Sequence, residues 1–303
     1  MITKSLDAQS IRIVVTDSGL GGISVLAELE RKLKETKIYK NVELLFFNAL
    51  YSKSLGYNSM KNIDEKAAVF NNALFSIQKN YDPEIILIAC NTLSVIYHMT
   101  PYSEKTKIKV EGIVKNGIEL FLENLKHEKE NIIILFGTPT TIESQQHKRL
   151  LIEEGIDENR IVDQSCPMLE SEIQDDPSSN QTKELIQKYV DEASEIITSY
   201  TSKVYAGLCC THYGYSTDVF YNTMKNKFGD NVSILNPNDK MVEELIKERN
   251  VSYRESKISV KIVSQVEIYE HEKQALSNVL RDSAPLTVKA IKNYEQIPNL
   301  FGK

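Results

Sequence analysis

The stretch Ile11-Arg12-Ile13-Val14-Val15-Thr16 runs into Asp17-Ser18-Gly19-Leu20-Gly21-Gly22 and from there into residues 23–34. The first segment is a short apolar run rich in Val and Ile, as a strand covered on both faces should be. The second is a glycine turn, and the third repeats its apolar residues at helical spacing. The same succession recurs along the chain. Residues 42–48, 84–89, 108–114, 131–137 and 203–208 read as further strands, and 63–80, 116–125, 141–153 and 182–200 as amphipathic helices. Strands alternating with helices imply βαβ units and mainly parallel sheets, so the fold class is α/β.

The chain has 303 residues, a length that favours two domains of ordinary size. It is 41% hydrophobic and 26% charged, the composition of a globular protein with apolar material for two cores. A formal charge of −6 argues against a nucleic-acid binder, which usually carries a basic stripe. Residues 1–10 lack an apolar core segment, so no signal peptide is expected. No apolar run reaches the roughly 20 residues that span a bilayer. Four cysteines in such a chain fit a reducing cytoplasm better than a disulfide framework. With no Cys-x-x-Cys pair and no His-Glu-x-x-His, a metal site is not expected.

Pro101 and a polar run interrupt the pattern at 98–107, and Asn236-Pro237 interrupts it again before a helix at 239–248. Residues 166–180, with Pro167 and Pro177, read as a long loop. The tail reads as a strand at 257–268, a helix at 271–281 and a last strand at 286–291.

In open α/β sheets ligands gather at the carboxyl ends of strands. Three such ends carry chemistry here: Thr16-Asp17-Ser18-Gly19-Leu20-Gly21-Gly22, Ala89-Cys90-Asn91-Thr92 and Cys209-Cys210-Thr211-His212-Tyr213. The first only approximates a dinucleotide fingerprint, because Ser24 takes the place of the last glycine and the next strand ends on Asn48 rather than an acid. It either displays Asp17 and Ser18 at a strand tip or uses one of them as a helix N-cap. A lone Cys90 would read as a buried structural thiol. The second strand-end cysteine, Cys210, changes that reading. Two thiols, each followed by hydroxyl and amide donors, suit 1,1-proton transfer: one thiolate removes an α-proton and the other thiol reprotonates the opposite face. Adjacent residues of a strand face opposite ways, so Cys209 should be buried packing. Cys166 reads as incidental. His212 stands two residues beyond Cys210, where it can assist that thiol or orient a substrate. His98, His127, His147 and His271 have no such context.

At these residues the chain resembles the aspartate/glutamate racemase superfamily, most of all the glutamate racemases. The matching motifs are Asp17-Ser18-Gly19-Leu20-Gly21-Gly22, Ala89-Cys90-Asn91-Thr92, Gly137-Thr138-Pro139-Thr140-Thr141 and Cys210-Thr211-His212-Tyr213, in that order. The resemblance implies two facing α/β domains with the active site in the cleft between them. With the breaks above, these are 1–98 plus 238–303 and 99–237. It implies no cofactor, neither pyridoxal phosphate nor metal. By the same resemblance Cys90 and Cys210 are catalytic, Asp17 and Ser18 meet the substrate or assist Cys90, and His212 assists Cys210. Asn91, Thr92, Thr141 and Thr211 would bind polar groups of the substrate. The family often pairs this histidine with a Glu after a Cys-Pro loop, and Glu170 and Glu172 are the candidates here. Ser54-Leu55-Gly56 stands where the family usually has Pro-Tyr-Gly, with Tyr51 or Tyr57 as substitutes for the missing hydroxyl. Lys115-Asn116-Gly117 stands where Glu-Pro-Gly is common. The resemblance further implies a homodimer as the oligomeric state to expect, and D-glutamate for peptidoglycan, made in the cytoplasm, as the product. Racemisation of aspartate or another amino acid is the alternative that Ser54-Leu55-Gly56 motivates. A silent acid-binding homologue is the non-enzymatic one.

Overall fold

The computed structural model describes residues 9–197, 202–247 and 251–302. Residues 1–8 of the amino-terminal stretch and the ends of the helices expected at 182–200 and 239–248 lie outside them.

Among the described residues ten strands form two sheets. Six build the first: β1 (Ser10–Asp17), β2 (Asn41–Asn48), β3 (Ile85–Ile88), β4 (Lys109–Gly112), β9 (Lys257–Ser264) and β10 (Glu295–Gln296). Their order is β10-β9-β2-β1-β3-β4. The second sheet holds β5 (Ile132–Gly137), β6 (Ile161–Ser165), β7 (Val204–Cys209) and β8 (Val232–Leu235), in the order β6-β5-β7-β8. All pairings between these strands are parallel. β3, β5 and β7 are buried along their whole length, which accounts for their continuous apolar runs.

In each sheet the chain leaves a central strand to one side and returns on the other. β1 lies between β2 and β3, and β5 lies between β6 and β7. The openings beside β1–β3 and β5–β7 are therefore topological switch points, where such sheets bind ligands. Cys90 follows β3 and Cys210 follows β7. Each candidate thiol thus stands at the switch point of its own sheet.

Several expectations need correction. β4 stops at Gly112 and pairs with β3, so the first sheet continues past residue 98; a helix, Ile113–Leu125, takes over where a strand was expected to run to 114. The polar run at 98–107 contains a helix, Pro101–Lys105, because proline suits a first helical position and Thr100 caps it through the Ser103 amide. The expected helix at 141–153 is two, Pro139–Glu143 and Gln146–Glu153, separated where Gln145 takes φ 53°. Residues 166–180 are not all loop, since Leu169–Asp175 is helical after Met168 turns at φ 67°. The last expected strand is the helix Pro285–Lys292, whose buried Thr287, Val288, Ala290 and Ile291 follow helical spacing. β6 and β8, two short edge strands, were not anticipated. Among the described residues no helix is long and apolar enough to cross a membrane.

Candidate active site

A cleft of about 750 Å³ opens between the carboxyl ends of the two sheets. Asp17, Ser18 and Cys90 reach it from the first sheet, and Thr138, Cys210 and His212 from the second. The parallel register sets β1 beside β3, which brings Ser18 Oγ within 3.1 Å of Cys90 Sγ. Gly22 occupies the N-cap of the following helix with no side-chain bond, so neither Asp17 nor Ser18 is its cap. Asp17 turns to the other sheet, where its Oδ2 accepts the Thr211 hydroxyl at 2.7 Å. Its Oδ1 is buried without a partner among the described residues.

Gly21 is required by this crossing. A Cβ there would lie 2.6 Å from His212 Nδ1 and 2.7 Å from the His212 amide nitrogen, closer than real Cβ contacts come. The glycine turn therefore serves a close approach of the two halves rather than a nucleotide.

On the second side, Cys210 Sγ lies 3.8 Å from His212 Nδ1. Cys209 and Cys210 join different apolar clusters, as opposite-facing neighbours should. Cys166 is fully buried, its Sγ 3.5 Å from the Gln164 carbonyl. Burial pushes the Cys90 thiol up to about 12, with Asp17 adding to the effect and the Ser18 hydrogen bond opposing it. Burial, then Glu170, holds Cys210 well above an ordinary thiol. Burial lowers His212, against the pull of Asp17, Glu170 and Glu272. Near pH 7 burial therefore keeps Cys90 and Cys210 as thiols and His212 as a neutral imidazole.

The remaining wall is polar. Thr92, Thr138 and Thr141 place their hydroxyls in a triangle with sides of 3.0, 3.3 and 3.1 Å. Thr92 and Thr138 line the cleft, with Thr141 behind them. Asn91 Oδ1 pairs with His147 Nε2 at 3.1 Å, and the Asn91 amide nitrogen is buried at the cleft wall with no partner among the described residues. His147 was passed over in the sequence, because nothing local distinguishes it on its amphipathic helix. Thr211 lines the cleft, its carbonyl taking Asn238 Nδ2 at 3.2 Å. Ser54 and Gly56 line it too, whereas Leu55 packs against the core. Of the two candidate tyrosines, Tyr57 lines the cleft, its hydroxyl buried with no partner among the described residues. Tyr51 packs against Phe301 instead.

Neither Glu170 nor Glu172 meets His212. Glu170 takes Asn58 Nδ2 at 3.2 Å, while Gln174 Oε1 lies 3.0 Å from His212 Nε2. The helix Leu169–Asp175 points Gln174 at the ring, and no signal inside a stretch read as loop could have selected it.

No family model matches the chain. A glutamate racemase of Campylobacter jejuni is 23% identical over 277 residues, which cover 89% of this chain and 100% of the relative. One from a Nitratiruptor species is 26% identical over 277 residues, 90% of this chain and 98% of its own. The chain is most like the glutamate racemases. A crystal structure of the glutamate racemase from Francisella tularensis, solved with D-glutamate, superposes with a TM-score of 0.68 at 18% identity, covering 91% of this chain and 95% of that one. At that identity the superposition establishes a shared fold: two mainly parallel α/β sheets, as in the glutamate racemase structures.

Proposed function

We propose that the chain is a cofactor-independent amino-acid racemase that interconverts L- and D-glutamate, supplying D-glutamate for peptidoglycan in a bacterial cytoplasm. The observation that carries this reading is one cleft lined by a thiol from each sheet together with polar groups left unpaired. An unpaired buried polar group costs about 1–3 kcal/mol, so one that faces a cleft is suited to a partner that enters it. Asp17 Oδ1 is an open acceptor and the Asn91 amide an open donor, which suits the ammonium and carboxylate of an α-amino acid. The substrate ammonium would also offset the burial that keeps both sulfurs protonated.

In one direction Cys90 as thiolate takes the α-proton while Cys210 gives its proton to the opposite face; the reverse reaction exchanges the roles. Ser18 and Asp17 attend Cys90, and His212 attends Cys210. Thr92 and Thr211 supply further hydrogen bonds, and Thr141 acts from behind Thr92. The Tyr57 hydroxyl, which burial keeps protonated, is a donor fit for the side-chain carboxylate of glutamate. The two halves, taken as residues 1–98 with β4 and 238–303 against the remainder, would close on the substrate as separate domains.

One observation favours a second reading of the substrate. Glu170 presents at the cleft a buried Oε2 with no partner among the described residues, and a carboxylate there repels an acidic side chain and favours one bearing N–H donors. Proton NMR in D₂O, with L-glutamate, L-aspartate and L-glutamine offered separately, tests both readings. Loss of the α-proton signal, with polarimetry of the same sample showing the D-isomer appear, is expected, fastest with glutamate. Faster exchange of glutamine would transfer the assignment to the second reading, and no exchange with any amino acid would end the racemase reading.

A further inference from the structure

We propose that Gln174 is a positioning residue that fixes the tautomer of His212, and that it does so from a relay ending on Glu272 and Lys53. The role in catalysis rests on the racemase reading; the tautomer does not.

An amide side chain can present either end to a histidine, and only its neighbours decide which. Here both neighbours are restricted to one role. The Leu20 backbone N–H can only donate, and it donates to Gln174 Oε1 at 3.0 Å. Glu272 Oε1 accepts Gln174 Nε2 at 2.6 Å. That carboxylate is anchored in turn: Lys53 Nζ donates to its two oxygens at 2.8 and 3.0 Å, and the Tyr269 amide donates to Oε2 at 2.6 Å. Turning the Gln174 amide over would set N–H against N–H at Leu20 and oxygen against carboxylate at Glu272. Its oxygen must therefore face His212.

The oxygen can only accept, so His212 Nε2 carries the proton and donates to it across 3.0 Å. A neutral imidazole protonated at Nε2 has its lone pair on Nδ1. Nδ1 faces Cys210 Sγ at 3.8 Å, so the thiol is the donor in that contact. When Cys210 becomes a thiolate its S–H bond breaks, the electron pair stays on sulfur, and the proton forms an N–H bond at Nδ1. The resulting imidazolium keeps its Nε2–H on Gln174 Oε1. An amide accepts that hydrogen bond but brings no charge of its own. The acidic groups around the ring come from three other elements: Asp17 at the end of β1, Glu170 on the helix Leu169–Asp175 and Glu272 on the helix Glu270–Leu280. Gln174 thus holds the ring ready to accept without charging it in advance.

The test is histidine-selective ¹⁵N NMR of the full, ligand-free chain, with the His212 signals assigned by their loss in His212→Gln. The expected wild-type pattern is a bare Nδ1 and a protonated Nε2 at pH 8. Gln174→Leu should mix the tautomers, and racemisation should fall, short of the roughly 10²–10⁴-fold that removal of an acid–base group costs. Gln174→Glu keeps an acceptor on Nε2–H but sets a carboxylate against Glu272, so it should recover only part of the activity that Gln174→Leu loses at pH 8. Its added charge should raise the His212 midpoint and move the acidic limb of kcat/KM to higher pH, because His212 must be neutral to take the Cys210 proton. A neutral wild-type ring protonated at Nδ1 would overturn the proposal. So would a Gln174→Leu protein whose tautomer and pH profile match wild type. A protein with the expected tautomer that racemises no amino acid would defeat the racemase reading and leave the tautomer assignment standing.

Discussion

Cys90 and Cys210 keep their protons for the same first reason, burial, and differ in what stands beside them. Ser18 Oγ lies against Cys90 and His212 Nδ1 against Cys210. In the ligand-free protein both should be poor nucleophiles at pH 7, since the thiolate and not the thiol reacts. Iodoacetamide should modify them more slowly than an ordinary thiol of pKa about 8.5, with the rate still rising at pH 10. Peptide mapping by mass spectrometry reads this site by site, and rapid modification at pH 7 would contradict the burial argument. Cys90→Ala and Cys210→Ala should each lower racemisation at least about 10²-fold, whereas Cys166→Ser should not; D₂O exchange measures all three. The two thiols, Asp17, Ser18 and His212 could be picked out of the sequence because each lies within a few residues of a strand end. Gln174 and His147 could not, since their partners lie 38 and 56 positions away.

At the scale of elements, the Asp17–Gly22 turn is the part most exposed to a single change. Gly21→Ala places a methyl group against the His212 backbone and ring, which a strand-end turn cannot yield without moving. Overpacking of this kind typically costs about 1–3 kcal/mol. The variant should fold with a lowered denaturation midpoint and lose more activity than stability, as unfolding and turnover measured on one sample would show. Buried strands were legible because nothing else needs such short, unbroken Val, Ile and Leu runs. The edge strands were not: β6 reads Ile161-Val162-Asp163-Gln164-Ser165, polar enough to pass for connection. Leu286, Val288 and Ala290 alternate with Thr287 and Lys289, which imitates a strand. Pro285 at the first helical turn and burial of Thr287 with Ile291 give the helix instead.

Across the whole molecule, the two sheets are tied at their carboxyl ends by a few specific contacts. Asp17 meets Thr211, Leu20 meets Gln174, and the Tyr215 hydroxyl donates to the Leu20 carbonyl at 3.2 Å. Asn238 bonds Ser24 at 2.9 Å beside them. His147 is buried in the same region, and burial lowers it to about 4. The unfolded chain, with an ordinary histidine near 6.5, binds more protons between those values, so stability must fall as pH drops from about 6.5 to 4. His147 alone contributes at most about 3 kcal/mol to that loss. Urea unfolding at pH 7 and pH 4.5 should show a lower midpoint at the acid pH, with a smaller difference in His147→Gln. The sequence could suggest two α/β halves from its length and its resemblance to the racemases, but not these ties, which join residues far apart in the chain.

The triangle of Thr92, Thr138 and Thr141 has a property that none of its members has alone. Three hydroxyls in a ring share three protons, and the ring can run clockwise or anticlockwise at almost the same energy, because each oxygen donates once and accepts once either way. Rotating the O–H bonds reverses the circulation without moving a heavy atom. Left in the ring, Thr92 and Thr138 each keep one lone pair for the cleft, and turning either O–H out of the ring offers a proton there instead. A catalyst whose substrate and product are mirror images has to greet both hands with one set of atoms, and a wall of reversible polarity lets it do so while the backbone stays still.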